Sequence, residues 1–268
     1  MNPRKALKRA RHAIRQADNA LKEAASALRS PIPGEEATSE KPDFLAKTFT
    51  MPAATFDGMA DAAAALRQRG PSAFKHGDEI KVFHQLGKLR FVVIGIDHDK
   101  SGDRDHTLTL LLTSIVLGSA FDAPSLSNPW GRNCWHLSSI RRMLNGKFLD
   151  GFTEADQQDI SHTYHRTYSF TEREYIHTYD KFFLLSASEA GFEVDEETVM
   201  DEGDVCPYFK TGSESRQLLD AYGTAHSWWL RSPNPCNGYL VRYVTPSGAL
   251  SHHYANNGLA VAAVCVIR

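Results

Sequence analysis

The loop Asp97-His98-Asp99-Lys100-Ser101-Gly102-Asp103-Arg104-Asp105 carries the residue types of a calcium-binding turn. Asp stands at positions one, three and nine of an EF-hand-like loop, with a hydroxyl at five and glycine at six. The twelfth position, which calls for a bidentate glutamate, is Leu108, and the flanks have strand rather than helix character. A solvated hairpin loop between two strands is the simpler account, and calcium binding by 97–105 stays open.

His162, His165 and His177 fall together and His252-His253 are adjacent. No carboxylate or cysteine sits beside them at ligand spacing, and neighbouring strand residues point to opposite faces. Exposed polar histidines are therefore expected. The four cysteines, Cys134, Cys206, Cys236 and Cys265, lie far apart without CxxC spacing. That is neither a zinc-ligand pattern nor a disulfide framework, and Cys265, inside an apolar run, is expected as a reduced core residue. GxSxG, P-loop, GxGxxG and HExxH motifs are absent, and the pair Glu196-Glu197 lies in a polar stretch typical of solvated surface. No catalytic residue, metal site or cofactor is predicted, and the chain is not expected to be an enzyme.

The elements that must position any site begin with a heptad helix over residues 3–29. Leu7, Ile14, Leu21 and Leu28 recur every seven residues, with Ala10, Ala17 and Ala24 between them. Its first half is basic, but its apolar face is alanine-rich without Trp or Phe, which disfavours lipid insertion. A bundle or coiled-coil face, used for homo-oligomerisation or docking, fits better. Ser30-Pro31-Ile32-Pro33-Gly34 should stop it, and a polar linker follows through residue 44. A helical connector is expected over 45–76, with its helix at Asp57–Gln68 closed by Gly70-Pro71.

From residue 77 to 268 the texture is α+β. Strands are expected at Glu79–Phe83, Leu89–Asp97, Thr107–Thr113, Phe182–Ser186, Tyr239–Val244, Ala249–Tyr254 and Leu259–Ile267. A helix is expected at Ser138–Asn145, stopped by Gly146, and another opens at the capping box Thr153–Asp156. Thr245–Gly248 and Ala255–Gly258 have turn chemistry. Net charge is −2, so bulk electrostatics gives no case for nucleic acid. The longest apolar runs, Phe91–Ile96 and Leu259–Ile267, are strand-length, so no membrane span is expected. The N-terminus is charged without the apolar stretch of a signal peptide, which points by default to the cytoplasm or a phage particle.

Residues 232–268 contain no Lys, Glu, Gln, Met or Trp, although all five recur through residues 1–231. Random replacement of adenines in AAY asparagine codons yields NNY codons, which omit those five types. A β core with few charges is the competing explanation, because the segment also lacks Asp and Phe, which NNY codons permit.

Trp228-Trp229-Leu230-Arg231-Ser232-Pro233, the Asn-rich hairpin after it, Val241-Arg242, Val244, Gly248, Leu250, Ala255-Asn256-Asn257 and the Val261–Ile267 run resemble the variable proteins of diversity-generating retroelements. Trp135–Asn145 and Asp180–Ala190 fit the scaffold of the same family. The resemblance covers about residues 77–268 and leaves the N-terminal helix outside.

It implies a C-type-lectin-like domain of the branch that also contains formylglycine-generating enzymes, with a variable region at about 232–268 rewritten by adenine-directed mutagenesis. Trp229, Arg231, Val241, Val244, Gly248, Leu250, Ala255 and Val261 would be the fixed frame. The diversified ligand-binding positions would be Cys236, Tyr239, Leu240, Tyr243, Thr245, Pro246, Ala249, Ser251, His252, His253, Tyr254 and Leu259. Asn237, Gly238, Ser247 and Asn257 cannot be assigned to either set. Implied is a display protein, phage or bacterial, that binds a macromolecule, protein or glycan, with tyrosines as anchors. A formylglycine-generating-enzyme-like catalyst and a self-assembling structural protein are the alternatives.

Overall fold

Polar and apolar residues alternate from Glu79 to Val82, so one side of that strand faces inward with Ile80 and Val82. The next apolar run is inside on both sides: Phe91, Val92, Val93 and Ile94 are all buried. A computed structural model describes residues 55–99, 106–195, 197–211 and 213–268, and in it these segments form a hairpin. Strand β1 is Thr55–Phe56, β2 Glu79–His84, β3 Gly87–Ile96 and β4 Leu108–Leu112. His84 pairs with Gly87, so the turn is Gln85-Leu86. The heptad helix, the linker and the calcium-like residues 100–105 lie outside the described residues.

The main sheet runs β1-β2-β3-β4-β16-β6, where β6 is Ile160–Ser161 and β16 is Val264–Ile267. Strand β16 also pairs with β9, Phe182–Phe183. The C-terminal strand is thus hydrogen-bonded to three partners and buried throughout. A second sheet runs β14-β13-β12-β15-β5. Its strands are β5 Gly118–Ala120, β12 Trp228–Pro233, β13 Leu240–Val244, β14 Leu250–Tyr254 and β15 Gly258–Ala260. Two further pairs are separate: β7 Thr163–Ser169 with β8 Glu174–Asp180, and β10 Leu218–Leu219 with β11 Ala225–His226. Together with the α-helices among the described residues, α1 Met59–Arg69, α2 Ser139–Met143 and α3 Glu154–Asp159, the architecture is α+β.

Helix α1 belongs to the core rather than serving only as a connector. Met59, Ala62, Ala63 and Leu66 form its buried stripe at helical spacing. Its first backbone N–H groups are satisfied from far along the chain, because Asp156 Oδ1 accepts from Met59 N at 2.8 Å and Ala60 N at 3.1 Å. Thr153 caps α3 as its position predicts, accepting from Asp156 N. Gly70 ends α1, its N–H bonded to Leu66 O.

Some sequence expectations need correction. Leu259–Ile267 is not one strand. It divides into β15 and β16, which lie in different sheets, with buried Val261-Ala262-Ala263 crossing between them. Gly146 breaks the helix as expected, with non-helical angles of φ −124° and ψ −108°, but the chain does not leave the helical path for long. After α2 the chain continues through a wide turn at Leu144–Phe148 into a 3-10 turn at Leu149–Gly151. Tertiary contacts carry it on: Asn145 Oδ1 accepts from Lys181 N and Phe182 N, and Phe148 packs edge-on against Phe152 and Phe182. The β7–β8 hairpin was not anticipated; its inward residues Thr163, His165, Thr167 and Ser169 are polar and hid the alternation.

Candidate functional site: the β12–β15 hairpin region and its buried support

The support is a polar cluster around Arg231, which has no solvent exposure. Its guanidinium meets Glu189 in a two-pronged pair, Nη1 to Oε2 at 2.5 Å and Nη2 to Oε1 at 2.6 Å. The remaining donors reach Leu184 O, Thr167 Oγ1 and Glu202 O. Such a pair persists in low dielectric only because nearly every donor is matched. Burial opposes ionisation of Glu189, but the Arg231 charge and hydrogen bonds hold its carboxyl below the ordinary range. Glu202 lies on the other side of the arginine, accepting from Tyr168 N and Ser232 Oγ. Burial dominates there and pushes its carboxyl up to about 7.

His165 belongs to this cluster, which corrects the expectation of exposed histidines. It is buried against the ring of Phe183, with centroids 3.7 Å apart, and its Nε2 lacks a hydrogen-bond partner. Burial, then the Arg231 charge, lower its pKa to about 3, so the ring is neutral. His162 and His177 are exposed, stacked on Tyr179 and Tyr164.

Trp229 anchors the second sheet. Its indole N–H donates to Ser119 O at 2.9 Å and its ring packs on Phe121. Above it, the 234–240 loop is held by one buried side chain: Asn133 Nδ2 lies within hydrogen-bond reach of the carbonyls of Asn234, Asn237 and Leu240. The loop adds its own Asx turns, Asn234 Oδ1 accepting from Cys236 N and Asn237 Oδ1 from Tyr239 N. The turn after β14 is tied to the 128–131 segment through Asn256 N to Trp130 O and Asn256 Nδ2 to Pro129 O. Gly131 permits that approach. Its φ is +71°, and a Cβ there would stand 2.6 Å from Asp122 O.

Of the residues assigned to ligand binding, Cys236, Tyr239, Pro246, Ala249, His252, His253 and Tyr254 are exposed. Leu240, Tyr243, Thr245, Ser251 and Leu259 are half-buried. Tyr243, expected to be exposed, packs edge-on against Trp229 with centroids 6.2 Å apart. The frame residues Trp229, Arg231, Val241, Val244, Gly248, Ala255 and Val261 are buried, whereas Leu250 is only half-buried.

The assigned residues do not share one surface. Register pairs Leu240 with Tyr254 and Arg242 with His252 on one side, and Val241 with His253 and Tyr243 with Ser251 on the other. Thr245, Pro246 and Ala249 sit at the far end of the β13–β14 hairpin, about 20 Å from Tyr239 at a strand rise of about 3.3 Å per residue. Leu259 lies on β15, beside Ile115, Leu117 and His226. The densest exposed group is at the near end. There Tyr254, 40% exposed, packs with its ring tilted against Trp130, 49% exposed, at 4.8 Å, with Tyr239, 46% exposed, on the neighbouring strand end. His253 joins through Asn257 Nδ2 at 2.7 Å. Trp130 was missed by sequence reasoning because it lies in the irregular 116–133 segment, far along the chain from the hairpin.

Cys265 and Cys206 are buried free thiols, and burial pushes both upward in pKa. Cys134 is also buried, beside His136 and Glu172. Among the described residues no helix is long and apolar enough to cross a membrane.

The chain belongs to the family described as a domain of unknown function (DUF6273), whose profile matches residues 107–268. That span contains the whole second sheet, the Arg231–Glu189–Glu202 cluster and every residue assigned to ligand binding. No curated protein and no solved structure matches the chain.

Proposed function

We propose that this chain is a non-catalytic binding protein with a C-type-lectin-like domain, whose residues 234–259 display a diversified surface to a macromolecular ligand, protein or glycan. The observation that carries the reading is the division of residues 229–261. No position assigned to diversification is fully buried, and every frame position except half-buried Leu250 is. A surface rewritten by random codon change needs that division, because exposed substitutions are nearly neutral and core ones are not. The contact centre is the near end of the hairpin, with Tyr239, Tyr254 and Trp130 as rigid aromatic anchors and His252 beside Tyr254 on its side of β14, while His253 faces the other side. Thr245, Pro246 and Ala249 form a separate periphery.

The test is a joint replacement of Tyr239, His252, His253 and Tyr254 by other NNY-encoded residues. Glycan arrays and surface-displayed peptide libraries then measure binding, and thermal melting measures folding. An unchanged melt with a changed binding profile is expected; a profile identical to that of the parent chain overturns the reading. At the gene level, the expectation is a near-copy of the codons for 232–268 that differs almost only at adenines, beside a reverse transcriptase.

A further inference from the structure

We propose that Cys134, His136 and Glu172 form a zinc site. The ligand atoms of this trio all lie within 4.8 Å of one another. His136 Nε2 is 3.9 Å from Cys134 Sγ and 3.9 Å from Glu172 Oε1, and Cys134 Sγ is 4.0 Å from Glu172 Oε2. Tetrahedral zinc with Zn–S of about 2.3 Å and Zn–N or Zn–O of about 2.0–2.2 Å has ligand–ligand edges of about 3.3–3.6 Å. The two Glu172 contacts fall on different carboxylate oxygens, so closing the trio on one ion requires that carboxylate to rotate and contacts of up to 4.8 Å to shorten by about 1 Å, still within side-chain adjustment.

The donor chemistry selects the metal. A thiolate, an imidazole and a carboxylate suit borderline-soft zinc and do not suit calcium or magnesium, which prefer all-oxygen shells. On binding, Cys134 gives its S–H proton to solvent and its sulfur lone pair to the ion, which sheds waters in exchange. Thiolate plus carboxylate then balance the dication. His136 and Glu172 keep 22% and 33% of their side chains exposed, leaving an entry path and room for water as the fourth ligand.

Two of the three residues, Cys134 and Glu172, are held by separate anchors. Cys134 lies between Asn133, fixed by the 234–240 loop carbonyls, and Trp135, whose indole donates to Asp180. Glu172 comes from the turn joining β7 to β8, where Ser169 Oγ donates to its Oε2, the type of contact that orients a ligating carboxylate. Phe170 of the same turn is the ring that a Cβ on Gly238 would meet at 3.0 Å. An ion here therefore fastens the β7–β8 turn to the segment that seats the 234–240 loop, whether or not that loop is diversified.

Cobalt(II) titration of the full chain, monitored by absorption, tests the site. A single equivalent should produce thiolate-to-cobalt charge transfer and tetrahedral d–d bands, and zinc should displace both. Cys134→Ser should abolish the charge-transfer band, and Cys236→Ser, at the exposed thiol, should leave it intact. His136→Ala and Glu172→Gln should each weaken zinc binding by more than about tenfold. Zinc should raise the melting temperature of the parent chain and not of Cys134→Ser. If Cys134→Ser fails to fold, Glu172→Gln at a partly exposed turn decides. No charge-transfer band in the parent chain, its loss in Cys236→Ser, its survival in folded Cys134→Ser, or unchanged zinc affinity in Glu172→Gln overturns the proposal.

Discussion

Strands β12 and β14 flank the same strand, β13, yet all six residues of β12 are buried and none of β14 is. Both have strand-forming residues, so intrinsic propensity does not separate them. Position in the sheet does: β12 has partners on both sides and the Arg231 cluster beneath it, whereas β14 is an edge. The contrast bears on the residue bias of 232–268. A shortage of Lys and Glu needs no explanation in a buried strand such as β16. It does in an exposed edge strand, where charged residues commonly block unwanted pairing. Strand β14 presents Ser251-His252-His253-Tyr254 with no Lys or Glu, which the β-core explanation leaves unaccounted for.

The contrast is broken most severely at the ion pair under β12. Glu189→Ala leaves the Arg231 charge buried without its partner and should cost about 3–5 kcal/mol. Urea denaturation of the folded fraction measures it, and a loss below about 1 kcal/mol would mean the pair is hydrated. Trp229→Ala should cost a similar or slightly smaller amount, about 3–5 kcal/mol, through a cavity and a lost indole hydrogen bond. Leu250→Ala, half-buried on β14, should cost distinctly less, about 1–2 kcal/mol. Equal losses at Trp229 and Leu250 would erase the distinction between the strands.

Glu202→Gln sharpens the contrast through pH. The folded carboxyl titrates at about 7 against 4.5 unfolded, so between these values the unfolded chain loses a proton that the folded chain keeps. The Glu202 contribution to stability therefore falls as pH rises through that window and levels off above 7. His165 acts oppositely: its folded pKa of about 3 against 6.5 unfolded makes stability rise with pH between 3 and 6.5. Removing the Glu202 contribution should shift the difference between variant and wild type toward the variant by up to about 3 kcal/mol from pH 4.5 to 7. A pH-independent difference would show that Glu202 is ionised in the folded protein throughout.

Local chemistry made much of this fold legible. The β2–β3 and β13–β14 hairpins, α1 with its terminal glycine, and the Thr153 cap follow from periodicity and turn residues. What stayed hidden depends on distant partners. His165 looks like any polar strand residue until Arg231, Glu189 and Phe183 surround it. Val261-Ala262-Ala263 has no breaker to announce a change of sheet. Cys134 and Glu172, 38 positions apart, meet only because an unanticipated hairpin turns Glu172 back. In residues 232–268, the positions taken from the family resemblance are exposed or half-buried, but nothing in the sequence indicated that they divide between two sides and two ends.

The smallest expected effects are on β14 itself. His252 and His253 are both exposed, and the strand's period of two points them to opposite sides. His252→Ser should change stability by no more than about 0.5 kcal/mol, as is usual for surface positions away from special contacts. His253→Ser removes a contact with Asn257 and one with Tyr254 N, both solvent-exposed, so its cost should be slightly larger yet still about 0.5–1 kcal/mol. Chemical denaturation of both variants beside Trp229→Ala gives the comparison on one scale. If either histidine costs 2 kcal/mol or more, β14 is not a tolerant edge, and a surface rewritten by mutation could not be built on it. If both are near zero while Trp229 is costly, the hairpin can change its outer residues without disturbing the strand that supports them.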